Sequence, residues 1–333
     1  MSVHKVRNYS FLLLLTVLVS VGLFPTSAHA QSTAPVIFYT DLISGPNSGG
    51  VSNNGVFVTL YGRNFGSSRG SSYVTVGGQA VASYVTWSDQ KVVVQLGAKA
   101  ATGSIVASVN GVQSNGVPFT VRSGNIYFVG PNGSDSNAGT STSSPWATLN
   151  KAQNKAKAGD TIYLLNGFKQ TTESSSTSAF TASKSGTSTN PIALVAYPGA
   201  LATLGDYNIS ENGLQNYPST SYWTVAGLVI RGNSSAVWLQ SAKGWRLVAN
   251  DAACPPGYGN GGCFAGTNFA WTYVYGNHIH DAGNGSSSDI SNYQAVSFDT
   301  ANHIDFGWNE VNNVAGAALT LAEYLAYERS MHV

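Results

Sequence analysis

Residues 127–165 read YFVGPNGSDSNAGTSTSSPWATLNKAQNKAKAGDTIYLL. A short β-type run, Ile126–Val129, passes into a loop rich in Gly, Ser, Asn and Asp. Trp146–Ala158 then has helical spacing. Thr148, Leu149, Ala152 and Ala156 share one side, with Lys and Asn between them. Gly159 is placed to end that helix, because glycine takes the left-handed backbone without strain. Asp160 and Thr161 lead into an apolar strand, Ile162–Leu165. Strand, polar loop, short amphipathic helix and strand, in that order, make a lid followed by the first rung of a stack.

The string resembles the opening segment of right-handed parallel β-helix proteins of the pectate-lyase-like class. The resemblance is carried by Tyr127, Gly133, Asp135, Gly139, Thr140, Pro145, Trp146, Thr148, Leu149, Ala152, Ala156, Gly159, Asp160, Thr161 and Ile162. It implies a solenoid whose N-terminal end is covered by the helix. An uncovered end would present unpaired strand edges and bare apolar surface. The resemblance is specific for architecture and weak for activity, so Asp135 and Asp160 are read as turn and cap residues, not catalytic acids.

Upstream, Lys5 and Arg7 form a basic start, Phe11–Leu23 is an apolar run, and Ala28-His29-Ala30 is an A-x-A cleavage signal. The expectation is a signal peptide over residues 1–30, a mature chain from Gln31, and secretion to the extracellular side. The apolar run is short for a membrane span and no later stretch reaches spanning length, so no membrane contact is expected after cleavage. The 333 residues carry 16 basic and 15 acidic side chains; losing Lys5 and Arg7 leaves 14 basic. That balance gives no electrostatic case for nucleic acid. Only 9% of residues are charged and 37 are Gly, which suits a turn-rich all-β chain and argues against a helical one.

The chain has two cysteines, Cys254 and Cys263, in CPPGYGNGGC. In an exported chain the expected outcome is a disulfide closing a small Pro/Gly loop, stabilising by about 2–3 kcal/mol on the loop-entropy argument. No His or acid lies inside the loop to make it a metal site.

Residues 31–122 show short alternating runs at Val56–Tyr61, Tyr73–Val76, Val92–Leu96, Ile105–Val109 and Phe119–Val121, separated by Gly, Asn and Ser. Regular short strands with frequent turns indicate a β-sandwich. Gly62-Arg63-Asn64-Phe65-Gly66, Val74-Thr75-Val76-Gly77-Gly78 and Phe119-Thr120-Val121 resemble the IPT/TIG immunoglobulin-like domain. The resemblance implies a spacer or presentation module, or a glycan-binding one with Tyr61, Tyr84 and Trp87 as stacking residues. Arg122–Asn125 reads as a short polar linker and a point of protease sensitivity. The solenoid domain is placed at 123–333, with residues 166–189 as a surface loop leaving the stack.

From Trp223 the chain repeats loosely. Aligning Gly227, Asn250, Asn277 and Asn309 gives steps of 23, 27 and 32 residues, as coils with loops of varying length would. Val225, Val248, Tyr275 and Gly307 then form one column, and Val229, Ala252, Ile279 and Val311 an inward-facing one. Asn250, Asn277 and Asn309 are expected to form an asparagine ladder at a turn. Ala317–Glu328 has helical periodicity. It is read either as a C-terminal cap or as a tail on a solenoid truncated at that end, with five or six rungs.

In this register Asp251, His278 and Glu310 occupy one outward column as candidate catalytic residues. Neighbouring rungs lie about 4.8 Å apart, close enough for such groups to exchange protons or share a cation. His280, Asp281 and Arg246 are the candidate substrate-binding residues, with Arg246 stacking towards Tyr273 and Asp305. The competing reading is a solvated outer face. The pectate-lyase-like resemblance implies Ca²⁺ on outer carboxylates and a Lys or Arg base, but neither that motif nor the aspartate set of β-helix glycosidases maps residue by residue here. No metal or cofactor is assigned, with Ca²⁺ the one to test. The fold class expected is all-β, an immunoglobulin-like sandwich followed by a right-handed parallel β-helix with an N-terminal capping helix. The function expected is that of a monomeric secreted protein acting on a polysaccharide or cell-surface glycan, as a lyase of acidic polysaccharide or a glycoside hydrolase. The alternative is a non-catalytic adhesion or glycan-binding protein.

Overall fold

A computed structural model of the chain describes residues 34–172, 177–255, 262–283 and 294–322. The expected signal peptide lies outside the described residues, as does the stretch beyond Ala322. The described residues are all-β apart from one short α-helix and one 3₁₀ turn. No helix among the described residues is long and apolar enough to cross a membrane.

The first part is a two-sheet sandwich. One sheet runs Val36–Thr40, Phe57–Arg63, Lys91–Gln95, Ser83–Trp87 in spatial order. The other is built on Val117–Val121, Gly103–Val109 and Tyr73–Val76. Alternation puts Val58, Leu60, Val92, Val94, Ile105 and Ala107 between the sheets, all fully buried. Tyr84 and Trp87 are tied into the sandwich, through the Val74 amide and the Phe65 carbonyl respectively.

The second part is a solenoid of three parallel sheets. The first sheet stacks Ile126–Val129, Thr161–Leu164, Ile192–Ala196, Trp223–Ala226, Arg246–Val248, Ala270–Tyr275 and Asn302–Gly307. The second stacks Lys169–Gln170, Thr203–Leu204, Val229–Arg231, Asp251–Cys254, His278–Ala282 and Glu310–Val314. The third stacks Phe180–Ala182, Asn212–Asn216, Ser235–Gln240, Gly262–Thr267, Gln294–Asp299 and Leu319–Ala322. Each coil adds one strand to each sheet, and inward side chains of all three meet in one core that includes Ile162, Leu194, Trp223, Trp245, Ile279 and Phe298.

The lid helix is shorter than its periodicity suggests, Leu149–Lys155. The preceding residues are engaged otherwise: Trp146 bridges to Val129, and the Asp135 carboxylate accepts from the Ala147 and Thr148 amides. Thr148 is the N-cap, accepting from Lys151 N at 3.1 Å. The chain leaves the helix at Ala156, and Gly159, at φ 99°, belongs to the turn that follows. Trp146, Leu149, Ala152 and Ala156 close the core end as expected. Asp160 is buried and accepts from Asn125 N and Lys157 N, which is turn work.

Three further readings are corrected. Residues 166–189 are no mere surface loop, because Phe168, Ala179, Phe180 and Ala182 are buried and two rung strands lie among them. Within the expected Ala317–Glu328 helix, Leu319–Ala322 is a strand paired with Gln294–Asp299, because the preceding coil's edge recruits it against its local propensity; residues 323–328 lie outside the described residues. The Trp223 rung is one residue out of the expected register. Leu228, not Gly227, lies opposite Asn250, so Ala226 joins the Val248–Tyr275–Gly307 column and Ile230 the inward Ala252–Ile279–Val311 column. The ladder itself forms. Asn250 Nδ2 donates to Asn277 Oδ1 at 3.0 Å, and Asn277 Nδ2 to Asn309 Oδ1 at 2.9 Å. Above it the Leu228 amide donates to Asn250 Oδ1.

The outer face of the first sheet is not open. Its column Phe128, Tyr163, Val195, Ala226, Val248 is apolar and shares a core with the sandwich. The Tyr163 hydroxyl, buried in that seam, accepts from Phe57 N at 2.8 Å. The linker is bolted as well. Arg122 donates to Ser44 Oγ and to the carbonyls of Pro191 and Gly159. Arg122–Asn125 is therefore not the loose point its composition suggests. Limited trypsin digestion should leave Arg122 intact until the fold opens; an early cut there would contradict the seam.

Cys254 and Cys263 are bonded, joining a second-sheet strand to the third-sheet strand of the same coil inside the core.

Candidate functional site

The second sheet carries the polar cluster. Inward residues Ile230, Ala252, Ile279 and Val311 force their neighbours outward, because strand side chains alternate. One outward column is Val229, Asp251, His278, Glu310; the other is Arg231, Ala253, His280, Asn312. Stacking in parallel register thus brings Arg231, Asp251, His278 and His280 onto three successive coils.

Asp251 is the hub. Its carboxylate accepts from Arg231 and lies 3.2 Å from His278 Nδ1 and 3.3 Å from His280 Nε2. The two imidazoles stack with centroids 4.2 Å apart and 18° between planes. His280 Nδ1 meets Asp281 Oδ2 at 2.8 Å. Asp281 reaches that position through a bulge: Ala253 pairs with His280 but Cys254 pairs with Ala282, so Asp281 is an extra residue, at φ 50°. A bulge re-aims a side chain in this way. Asn313 repeats the irregularity on the next coil and donates to Asp281 Oδ1.

Hydrogen bonding sorts the two rings. Asn312 Nδ2, which can only donate, faces His278 Nε2 at 3.1 Å. His278 therefore carries its proton on Nδ1, towards Asp251, and keeps a lone pair on Nε2. Both nitrogens of His280 face carboxylate oxygens, so whichever carries the proton donates to Asp281 or to Asp251. His278 is the outer ring, 39% exposed, and His280 the inner, 15% exposed.

Burial works to raise the Asp251 pKa, but the hydrogen bond and charge of Arg231, joined by His280 and His278, outweigh it and hold this carboxyl below the usual range. Asp281 is held low by the Asn313 hydrogen bond first and by His280 second.

Not every expected residue joins the cluster. Glu310 pairs with His278 in register, yet its carboxylate is exposed at the edge and accepts from Asn312. Arg246 is elsewhere, on the outward side of the first sheet, buried and donating to the Thr40 carbonyl, so it cannot serve a groove on the second. Asp305 is also on the first sheet, accepting from the Tyr275 hydroxyl. Arg231 was not anticipated. A rung aligned one residue out puts it opposite Cys254 instead of Ala253, off the His280 column. Placing Leu228 opposite Asn250 would have found it.

Ligand atoms of Asp251, His278 and His280 lie within 4.8 Å of one another, a set that could hold a metal ion. Two imidazoles and one carboxylate suit Zn²⁺ and similar ions. They suit poorly the hard, oxygen-seeking Ca²⁺ that the resemblance implies.

Comparison with known proteins agrees with this architecture. The IPT/TIG domain family matches residues 41–121, and the family described as Pel9A-like, right-handed β-helix region matches residues 127–306. No curated relative matches significantly. Among solved structures, an alginate lyase from Paenibacillus sp. str. FPU-7 is similar at 18% identity and TM-score 0.40, over 49% of this chain and 55% of that one. A rhamnogalacturonan lyase aligns at 16% identity and TM-score 0.35, over 62% of this chain and 64% of that one. Pectate lyase Pel9A aligns at 16% identity and TM-score 0.35, over 54% of this chain and 61% of that one. The chain thus spans less than two thirds of each.

Proposed function

We propose, for a chain that belongs to the Pel9A-like right-handed β-helix family, a secreted carbohydrate-active protein that cleaves a uronate-containing polysaccharide by elimination. The observation that carries the reading is the outward cluster on the second sheet: a lone-pair-bearing His278 Nε2, a second histidine, His280, held between two carboxylates, and an arginine, all organised around Asp251.

Elimination next to a uronate carboxyl needs three things: a cation to neutralise the carboxylate, a base for the adjacent C–H, and an acid for the departing oxygen. Arg231, already directed by Asp251, supplies the cation. His278 Nε2 removes the C5 proton once the sugar displaces Asn312. The C–H electrons form the C4–C5 double bond, the C4–O bond breaks, and the leaving oxygen takes a proton from His280 Nδ1 once the sugar displaces Asp281 from it. Asp251 holds both rings in their tautomers, the role an orienting carboxylate plays beside catalytic histidines. These donors do not match the oxygen-rich coordination that Ca²⁺ takes.

The test is to incubate the chain with polygalacturonate, alginate and a neutral glucan, with and without Ca²⁺ or a chelator. The reading predicts ultraviolet absorbance of an unsaturated uronide from one of the acidic polymers. New reducing ends without that absorbance would replace elimination by hydrolysis. Binding without either product would replace the enzyme by a glycan-binding or adhesion protein.

A further inference from the structure

A second polar site lies at the seam of the sandwich and the first sheet. A cleft of about 460 Å³ opens there, lined by Ile43 of the sandwich and by Tyr222, Lys243, Arg246, Trp271 and Tyr273 of the solenoid. Arg246 is only 7% exposed. One guanidinium nitrogen donates to the Thr40 carbonyl, Nε has no partner, and the Tyr273 and Tyr275 rings flank it at 5.5 and 5.6 Å. It forms no ion pair among the described residues. Asp41 and Asp305 act on it only through longer-range charge. A buried cation without a counter-ion is costly, and an arriving anion would offset that cost.

The wall of the cleft has its own irregularity. Four successive coils enter the first sheet through a left-handed residue two positions before the Thr224–Arg246–Tyr273–Asp305 column. These residues are Tyr222, Gly244, Trp271 and His303, at φ 61°, 67°, 54° and 53°. Glycine is what such a position asks for; a bulky side chain there is an outlier. The turn by itself does not account for tyrosine and tryptophan. The Tyr222 ring lies over Gly244, where a Cβ would come within 2.4 Å of it, and Trp271 stacks on His303 at 4.0 Å. Trp271 remains 45% exposed. Backbone strain of this kind gathers at binding sites.

We propose that this cleft binds a uronate residue of a polysaccharide chain, its carboxylate reaching Arg246 and Lys243 and its ring lying on Trp271. The site is separate from the second-sheet cluster and does not need that cluster to be catalytic; the two share only the polymer class. Arg246 is then a binding residue after all, in a place other than the groove first expected.

The test is the imidazole NMR signal of His303, read while trigalacturonate is added to the full chain, with maltotriose as neutral control. The signal should shift saturably with trigalacturonate and stay still with maltotriose. Lys243→Ala and Trp271→Ala should each weaken the apparent affinity at least tenfold while the His278 and His280 signals still respond. A silent His303, an equal response to maltotriose, or unchanged affinity in both variants would overturn the cleft. Movement of His303 with His278 and His280 silent would uphold the cleft and count against the proposed reaction instead.

Discussion

Asp251→Asn should lower turnover on an acidic polysaccharide by about 10²–10⁴-fold, the range that separates a working acid–base pair from a disabled one. Asparagine keeps the volume but has one acceptor where the carboxylate serves Arg231, His278 and His280. Its amide would confront the donors. The melting temperature at neutral pH should fall only slightly, because Asp251 is 40% exposed and solvent screens it. The pH dependence has a definite sign. Arg231 and the histidines hold the Asp251 pKa low despite burial, so the carboxylate's contribution to stability is fully present above the unfolded value, about 3.9. It is lost as pH falls through the lower folded value. The gap in melting temperature between the native chain and the variant should therefore close below about pH 4. A gap that widens on acidification would show that Asp251 is not held as described.

Asn277→Ala should be among the most damaging single changes to stability, about 3–4 kcal/mol. Asn277 is 1% exposed. Its Oδ1 accepts from Asn250 N and Nδ2, and its Nδ2 donates to the Leu247 carbonyl and to Asn309. Alanine removes the buried acceptor of the Asn250 N–H and of one Asn250 Nδ2 hydrogen, which costs far more than the bonds themselves contribute. Asn309→Ala, at the less buried end of the ladder, should cost less. Urea unfolding of both variants checks the order. An Asn277→Ala cost under about 1 kcal/mol would mean the ladder is not holding the turn.

The architecture was legible because its signals are local and repeat. The lid residues follow helical spacing, the asparagines recur at the same turn, and His278-Ile279-His280 alternates on a strand whose centre is inward. What was not legible depends on register and on partners distant in sequence. One residue of misalignment at the Trp223 rung hid Arg231, because a slip of one exchanges the two faces of a strand. The linker looked loose because the groups that fasten Arg122, on Ser44, Gly159 and Pro191, are up to 78 residues away. Arg246 does stack towards Tyr273 and Asp305 as read, but nothing nearby in sequence announces that Thr40 and the sandwich cover it. The strand at Leu319–Ala322 had helical periodicity and was overridden by the edge it completes.

The claim that the second-sheet cluster is where a uronate polymer is cleaved is tested most directly by a crystal structure of the Asp251→Asn chain grown with trigalacturonate. The account predicts an ordered sugar across His278 and His280, with its carboxylate facing Arg231 and its C5 within reach of His278 Nε2. An ordered trisaccharide lying elsewhere on the solenoid, with the second-sheet cluster bare, would contradict it.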